Sequence, residues 1–297
     1  MIRLAIRVDG EQAELALAEL LELAPSGVEE VRLADQTVEY AAYGAPGELP
    51  TLPDLKAAVG GALVDVSSSE VADDWQERWR RFHRPVLIEA PEGQAGGARA
   101  VPALRVRPPW EEPGASRGAV EEIVIDPGQA FGTGAHASTR LCLALLLELA
   151  AMERPRGALL DLGTGSGVLA IAAARLGFAP VLALDNARAS VEAAGANAAA
   201  NGAEIAVRRF DLRRQRLPWL DGEVAPAGRA GWRSPRPGPL LLELARTMPR
   251  APAHLLAGGL LPEQCEPTAR AFAARLDMRE RERRRCGSWA AIWLTAP

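Results

Sequence analysis

Residues 159–167 have the sequence Leu-Leu-Asp-Leu-Gly-Thr-Gly-Ser-Gly, an apolar run that breaks into a turn with three glycines. The run predicts a buried strand, and the mostly apolar residues 168–176 that follow predict a helix. A second apolar strand, Val181 to Leu184, comes next and is followed by Asp185. Strand, glycine-rich turn, helix and strand in this order are typical of a doubly wound α/β sheet.

The ends of these two predicted strands carry carboxylates. Ligands of open α/β sheets bind outside the carboxyl ends of the strands, where Asp161 and Asp185 are expected. Asp161 can bind a cationic amino group through a charge-assisted hydrogen bond. Gly163, Gly165 and Gly167 allow the main chain to approach a ligand closely. Because Asp185 can accept both hydroxyls of a ribose, the pattern predicts a site for S-adenosylmethionine in a methyltransferase.

The rival interpretation is a dinucleotide site, whose fingerprint is G-x-G-x-x-G. The spacing here is G-x-G-x-G, and Asp161 just ahead of it would repel a pyrophosphate. A tight turn without a ligand does not account for the paired Asp185. Asp211, after the predicted third strand, has two open interpretations: a contact with adenine, or a cap on the turn that follows.

A second cluster covers residues 126–139, Asp-Pro-Gly-Gln-Ala-Phe-Gly-Thr-Gly-Ala-His-Ala-Ser-Thr, and precedes an apolar helix predicted over 139–151. Ser138 or Thr139 is the predicted N-cap of that helix. The glycines and small polar residues predict a loop that closes over a ligand. The alternative is that Thr139 only caps the helix and His136 is an ordinary loop residue.

The fold class predicted for the chain is α/β, with a small α+β domain ahead of the doubly wound domain. Residues 1–68 alternate strand, helix, strand, strand, helix and strand, which predicts a ferredoxin-like substrate-recognition domain. Residues 69–100 are predicted to be a linker that contains an aromatic and arginine-rich helix over 73–84. Residues 101–297 are predicted to form the methyltransferase domain, with further strands over 205–210, 254–257, 278–285 and 289–294 and helices over 187–201, 240–246 and 263–276.

Composition limits the classes of partner. The formal net charge of −4 gives no support for nucleic-acid binding, which needs concentrated positive charge. The three cysteines and three histidines are far apart, so no metal site is predicted. The N-terminus lacks the apolar core of a signal peptide, and no apolar stretch reaches the roughly 20 residues that span a bilayer. We therefore expect a cytoplasmic protein, and a monomer, without a membrane anchor.

The sequence resembles the ribosomal protein L11 methyltransferase family over nearly its whole length. The resemblance rests on the residue 126–139 cluster and the glycine-rich turn together with these shorter matches: Leu184-Asp185-Asn186, Asn197-Ala198, Asn201-Gly202, Trp75 and Trp79, Pro109-Trp110-Glu111 and residues 255–261. It implies a ferredoxin-like recognition domain, a linker and a class I methyltransferase domain. It also implies S-adenosylmethionine as cofactor and methylation of amino groups on ribosomal protein L11.

The resemblance also implies roles for single residues. Thr139, Gly163 and Asp185 are expected to contact the cofactor, and the closing loop is expected to contain Phe131, Gly132, Thr133 and His136. The expected cofactor set is completed by Asp161, Gly165, Gly167, Asn186 and Asp211. No catalytic base is predicted, because the sulfonium is a strong electrophile and the enzyme has mainly to present a neutral amine in line with the methyl group.

One segment departs from the family pattern. The family has a fourth strand that ends in an asparagine, whereas residues 224–239 contain no asparagine and four prolines, which a central strand does not tolerate. Three explanations are open: loss of the motif with weakened catalysis, a strand whose sequence is not recognisable, or a local frameshift in the gene. Resequencing the gene tests the last of these.

Overall fold

The computed structural model describes residues 2–24, 28–33, 36–44, 47–70, 83–91, 101–114, 119–127, 134–152, 156–212, 214–215, 217 and 237–297. These residues fall into two compact units, one N-terminal to residue 83 and one formed by residues from 83 onward. Most of the predicted helix over 73–84, the loop residues Phe131, Gly132 and Thr133, and most of the departing segment 224–239 lie outside the described residues. The domain boundaries at residues 68 and 100 remain predictions.

The N-terminal unit is one antiparallel sheet with two helices. Its strands lie in the order β2-β3-β1-β4, and the chain order is that of a split βαβ unit. The elements are β1 (Ile2–Asp9), α1 (Ala13–Leu23), β2 (Glu29–Arg32), β3 (Thr37–Gly44), α2 (Leu52–Val59) and β4 (Leu63–Glu70). The sequence predicts the last strand of this unit near Ala62 to Val66, whereas β4 continues to Glu70, because it pairs with β1 that far.

The sequence predicts that Leu15, Leu17, Leu20 and Leu21 share one apolar side of helix α1, and the structure corrects this for Leu15. Leu15 is 52% exposed, whereas Ala13, Ala16 and Leu20 are buried in the core of this unit. The prediction that Leu15 faces the core with Leu17 and Leu20 is therefore wrong for Leu15. Small alanines allow the helix to lie close to the sheet, and the hydroxyl of Tyr40 donates to the carbonyl of Ala13 across that interface at 2.9 Å.

The second unit contains three three-stranded sheets. Their strand orders are β10-β9-β8, all parallel, β11-β13-β12, all antiparallel, and β5-β6-β7. The strands are β5 (Val86–Ile88), β6 (Ala103–Arg107), β7 (Val120–Val124), β8 (Leu159–Leu162), β9 (Val181–Asp185), β10 (Ala206–Arg209), β11 (His254–Leu260), β12 (Arg279–Cys286) and β13 (Trp289–Thr295). The helices are α3 (Ala137–Met152), α4 (Val168–Arg175), α5 (Arg188–Ala200), α6 (Pro237–Thr247) and α7 (Pro262–Leu276).

Two apolar cores cover the opposite faces of the sheets in this unit. One contains Leu159 of β8 and Trp293 of β13, with helices α3 and α4 packed on it. The other contains Leu160 of β8 and Ile292 of β13, with α6 and α7 packed on it. Because neighbouring residues of each strand enter different cores, β8 and β13 lie in one layer between helices, as the doubly wound prediction requires.

Candidate functional site

The glycine-rich turn joins the carboxyl end of β8 to α4. Gly163, Gly165 and Gly167 have φ values of 71°, 56° and 85°, in the left-handed region that favours glycine. The amides of Gly163 and Thr164 both donate to the carbonyl of Leu184, at 2.7 and 3.0 Å. The turn is therefore bound to the end of the neighbouring strand, which explains why the sequence places three glycines within five residues.

Asp185, the last residue of β9, faces this turn. Its side chain accepts a hydrogen bond from the amide of Gly165 at 3.0 Å and another from the amide of Ala187, also at 3.0 Å. The residue is only 7% exposed. Two backbone donors compensate the buried carboxylate and fix its orientation. One oxygen is thus held beside the turn and the other at the start of α5.

Asp161 lies on the other side of the turn, in β8. It is 1% exposed, and its Oδ2 accepts a hydrogen bond from the hydroxyl of Thr164 at 2.7 Å. In the parallel register Asp161 pairs with Ala183, two residues before Asp185. The structure therefore brings Asp161, Asp185 and the three glycines together, as the sequence predicts.

The start of α3 corrects the N-cap prediction. The amides of Thr139 and Arg140 donate to the carbonyl of His136 at 3.0 and 3.1 Å, so His136 is the N-cap and Ser138 and Thr139 lie in the first turn. His136 Nδ1 accepts from the amide of Ser138 at 3.3 Å, as an N-cap oxygen would. The imidazole packs edge-on against Trp289, with ring centroids 4.9 Å apart.

The remaining predicted residues are spread around this edge of the sheet. Thr139 is fully buried in the first turn of α3, whereas Asn186 is exposed and its carbonyl accepts a bond from Arg209 at 3.0 Å. The carbonyl of Asp211 accepts from the amides of Arg214 and Gln215, at 3.0 and 2.9 Å. These bonds are made by the main chain, so the two predicted roles of the Asp211 side chain stay predictions.

Sequence reasoning missed Asn197 of α5 as part of this region. Its side chain is 4% exposed and contacts the carbonyl of Ser166 inside the glycine-rich turn at 2.9 Å. The signals in the sequence are the Asn197-Ala198 match to the family and the spacing of Asn197 and Asn201, one helical turn apart, which places both on one side of a helix.

The carboxylates and glycines at this turn suit a ligand with an ammonium group and a ribose. Asp161 and Asp185 are buried carboxylates on adjacent parallel strands, and the turn between them has no side chain at Gly163, Gly165 or Gly167. A Cβ at Gly167 would lie 3.1 Å from the Cα of Ala194, so the turn is seated directly on α5. Carboxylates bind ammonium and hydroxyl groups, whereas a pyrophosphate would be repelled.

Metal ligands and membrane-spanning helices are two further features to consider in the described part of the chain. It contains no group of three or more histidine, cysteine, aspartate or glutamate residues that could hold a metal ion. Among the helices of residues 2–297 that the structure describes, none is long and apolar enough to cross a membrane.

Comparison with known proteins identifies the family. Residues 19–217, more than half of the chain, match the model of the ribosomal protein L11 methyltransferase (PrmA) family, and the match ends just before the segment that departs from the family pattern. The ribosomal protein L11 methyltransferase of Sorangium cellulosum is 32% identical over an alignment of 282 residues, and the match covers 90% of this chain and 81% of that protein. The protein of the same name from Symbiobacterium thermophilum is 44% identical over 140 residues, but the match spans only 41% of its length.

A solved structure agrees with these matches. The crystal structure of the ribosomal protein L11 methylase from Lactobacillus delbrueckii subsp. bulgaricus superposes with a TM-score of 0.54 at 28% identity. The superposition covers 71% of this chain and 98% of that one. Sequence motifs, the doubly wound fold and the family match agree, and the chain therefore belongs to the ribosomal protein L11 methyltransferase family.

Proposed function

We propose that this chain transfers methyl groups from S-adenosylmethionine to amino groups of ribosomal protein L11. The observation that carries the proposal is the pair of buried carboxylates, Asp161 and Asp185, on either side of a glycine-rich turn in a chain of this family. In this proposal the protein acts in the cytoplasm, as a monomer, and on a protein rather than on nucleic acid.

In this proposal each side of the turn binds one part of the cofactor. Asp161 binds the amino group of the methionine part, and the glycines allow the backbone to contact it. Asp185 binds the ribose hydroxyls through lone pairs that its two backbone bonds leave open. Asn186 and Asp211, which follow β9 and β10, contact the adenine side, and His136 and Thr139 at the start of α3 complete the site with Phe131, Gly132 and Thr133.

The cofactor supplies an electrophilic methyl group. The chain's own task is therefore to position the cofactor and the acceptor amine and to keep water away from the amine. The acceptor amine must lie in line with the methyl group at a near-attack distance of about 3–3.5 Å. A water-poor pocket lowers the pKa of the amine and favours the neutral, nucleophilic form. The carboxylates and the turn contribute by fixing the cofactor before the amine arrives.

Incubation with radiolabelled S-adenosylmethionine and purified L11 tests the proposal. We expect label in L11 with the unaltered chain, and strongly reduced label with Asp185→Asn. Glu192→Gln, which makes the same chemical change on the exposed face of α5, is the matched control and should keep full activity. Label on other ribosomal proteins but not on L11 would contradict the substrate assignment.

A second candidate function is binding of the cofactor or of L11 without turnover. The sequence favours it at one point, because residues 224–239 contain no asparagine where the family has one. Calorimetry with S-adenosylhomocysteine separates the two functions: binding with no label transferred to any ribosomal protein supports the second and contradicts the first.

A further inference from the structure

Asn197 connects the glycine-rich turn to a part of the chain far away in sequence. Its Nδ2 donates to the carbonyl of Ser166 at 2.9 Å, and its Oδ1 accepts from the amide of Asp126 at 3.0 Å. The two partners fix the orientation of the side-chain amide, because a carbonyl requires a donor and an amide requires an acceptor. One buried side chain thus joins the turn after β8 to the backbone after β7.

Asn201 makes bonds of the same kind but does not reach the turn. Its Oδ1 accepts from the amide of Val124 at 2.8 Å, and its Nδ2 donates to the carbonyls of Val124 and Asn197 at 2.6 and 2.7 Å. The two asparagines therefore hold neighbouring residues of the same segment, Val124 and Asp126. Only Asn197 also binds the glycine-rich turn.

A second contact between α5 and the turn lies one helical turn before Asn197. Gly167 has a φ of 85°, and a Cβ there would lie 3.1 Å from both the Cα and the Cβ of Ala194. Ala194 thus supports the peptide that follows Ser166, while Asn197 binds the carbonyl of Ser166 itself. These two contacts determine the direction of the Ser166–Gly167 peptide, at the point where α4 begins.

We propose that Asn197 is a positioning residue, which holds the glycine-rich turn in its ligand-binding shape by binding the Ser166 carbonyl and the Asp126 amide together. It acts through the turn rather than by touching the cofactor. The inference rests on the proposed function, because it assumes that the turn binds S-adenosylmethionine. It predicts that binding at the turn and the rigidity of the backbone at Asp126 are linked through this one side chain.

The variants Asn197→Asp and Asn201→Asp test the inference as a matched pair. Each keeps an acceptor for the β7 segment, loses the amide donor and adds a negative charge near the C-terminus of α5, where the helix dipole disfavours it. Both should lower the denaturant midpoint to a similar extent. The affinity for S-adenosylhomocysteine, measured by calorimetry, should fall about tenfold for Asn197→Asp and by less than about twofold for Asn201→Asp. Equal losses of affinity overturn the inference.

Hydrogen exchange of the unaltered chain tests the same link even if Asn197→Asp does not fold. Saturation with S-adenosylhomocysteine should slow exchange of the Asp126 amide, which is bound to Asn197, more than that of the Val124 amide, which is bound to Asn201. Binding without this difference overturns the role of Asn197 alone. Absence of any binding to the unaltered chain overturns the proposed function as well, so the two failures are distinguishable.

Discussion

Two polar regions of this molecule are built in opposite ways. At the carboxyl ends of β8 and β9, Asp185 and Asn197 are buried and bind backbone amides and carbonyls. On the sheet of the N-terminal unit, Arg3 and Arg7 bind the carboxylate of Glu39 at 2.6 and 2.9 Å, and Arg7 is 44% exposed. Hydrogen bonds from Arg3 and Arg7 lower the pKa of the Glu39 carboxyl below its usual value.

The difference shows what each kind of network can control. A buried side chain that binds the main chain fixes the path of the main chain, because losing the bond leaves a buried group without a partner. Partly exposed side chains that bind each other, such as Arg3 at 26% and Glu39 at 12% exposure, fix mainly their own positions, and water that reaches them replaces part of a lost interaction. We therefore expect large effects of substitution around the turn and small effects on the N-terminal sheet.

The largest effect is expected for Gly167→Val. The substitution combines a left-handed backbone conformation with overlap against Ala194, so the free energy of unfolding should fall by about 3 kcal/mol. Gly202→Val is the matched control, because Gly202 also has a positive φ of 56° but open space around it. Its cost should be about 1 kcal/mol. Equal losses of unfolding free energy for the two variants in urea denaturation would show that backbone strain alone, and not the packing of the turn against α5, makes Gly167 intolerant of a side chain.

Asp185→Asn should have the next largest effect, on ligand affinity. The carboxamide has no charge and one acceptor oxygen fewer for the ribose hydroxyls, and losing a charge-assisted hydrogen bond of about 2 kcal/mol should weaken binding of S-adenosylhomocysteine about thirtyfold. Calorimetry measures the change, with Glu192→Gln as control. Unchanged affinity would mean that the side chain only supports the turn.

Gly258→Ala tests whether tight packing around a glycine also occurs away from the glycine-rich turn. A Cβ at Gly258 of β11 would overlap the buried Sγ of Cys142 on α3, and overpacking of this kind should cost about 1.5 kcal/mol of unfolding free energy. Adding Cys142→Ala removes the overlapping atom, so the double variant should be more stable than Gly258→Ala alone. A double variant less stable than either single one would contradict this explanation.

The smallest effect is expected for Glu39→Gln, about 0.5 kcal/mol at neutral pH. Because the pKa of Glu39 is lowered in the folded state, its contribution is present above the ordinary carboxyl pKa and is lost as pH falls through the folded pKa. The difference between the two proteins should therefore vanish in acid, and it should shrink in high salt. A difference that persists in acid would show that Glu39 acts by packing rather than by charge.

The parts of the site that could be predicted from sequence are local in the chain. The glycine-rich turn and Asp185 follow from residue type and from strand periods within a short stretch. The role of Asn197 could not be predicted, because its partners lie 31 and 71 residues away and no period connects them. The sequence predicts His136 as a residue of the closing loop or as an ordinary loop residue, whereas it is the N-cap of α3, where its Nδ1 accepts the amide bond that a serine oxygen would take.

The same distinction applies to the fold. The sequence predicts a short helix near Leu52 to Val59, and these are the observed bounds of α2. In the structure Thr51 and Asp54 form a capping box for this helix, and Pro53 lies in its first turn. Residue type failed to predict the exposure of Leu15 in α1, because the face that a helix buries depends on the sheet beneath it. Local rules thus determine where elements begin, and tertiary packing determines which side they bury.

The bonds between Asn201 and Val124 have a consequence for solubility. Among the described strands, β7 pairs only with β6, so its other side is a sheet edge that could template pairing with a second chain. The side-chain amide of Asn201 binds both the N–H and the carbonyl of Val124, as the backbone of a neighbouring strand would. An asparagine at the end of a helix thus binds, at Val124, the main-chain groups with which a strand of a second chain would pair.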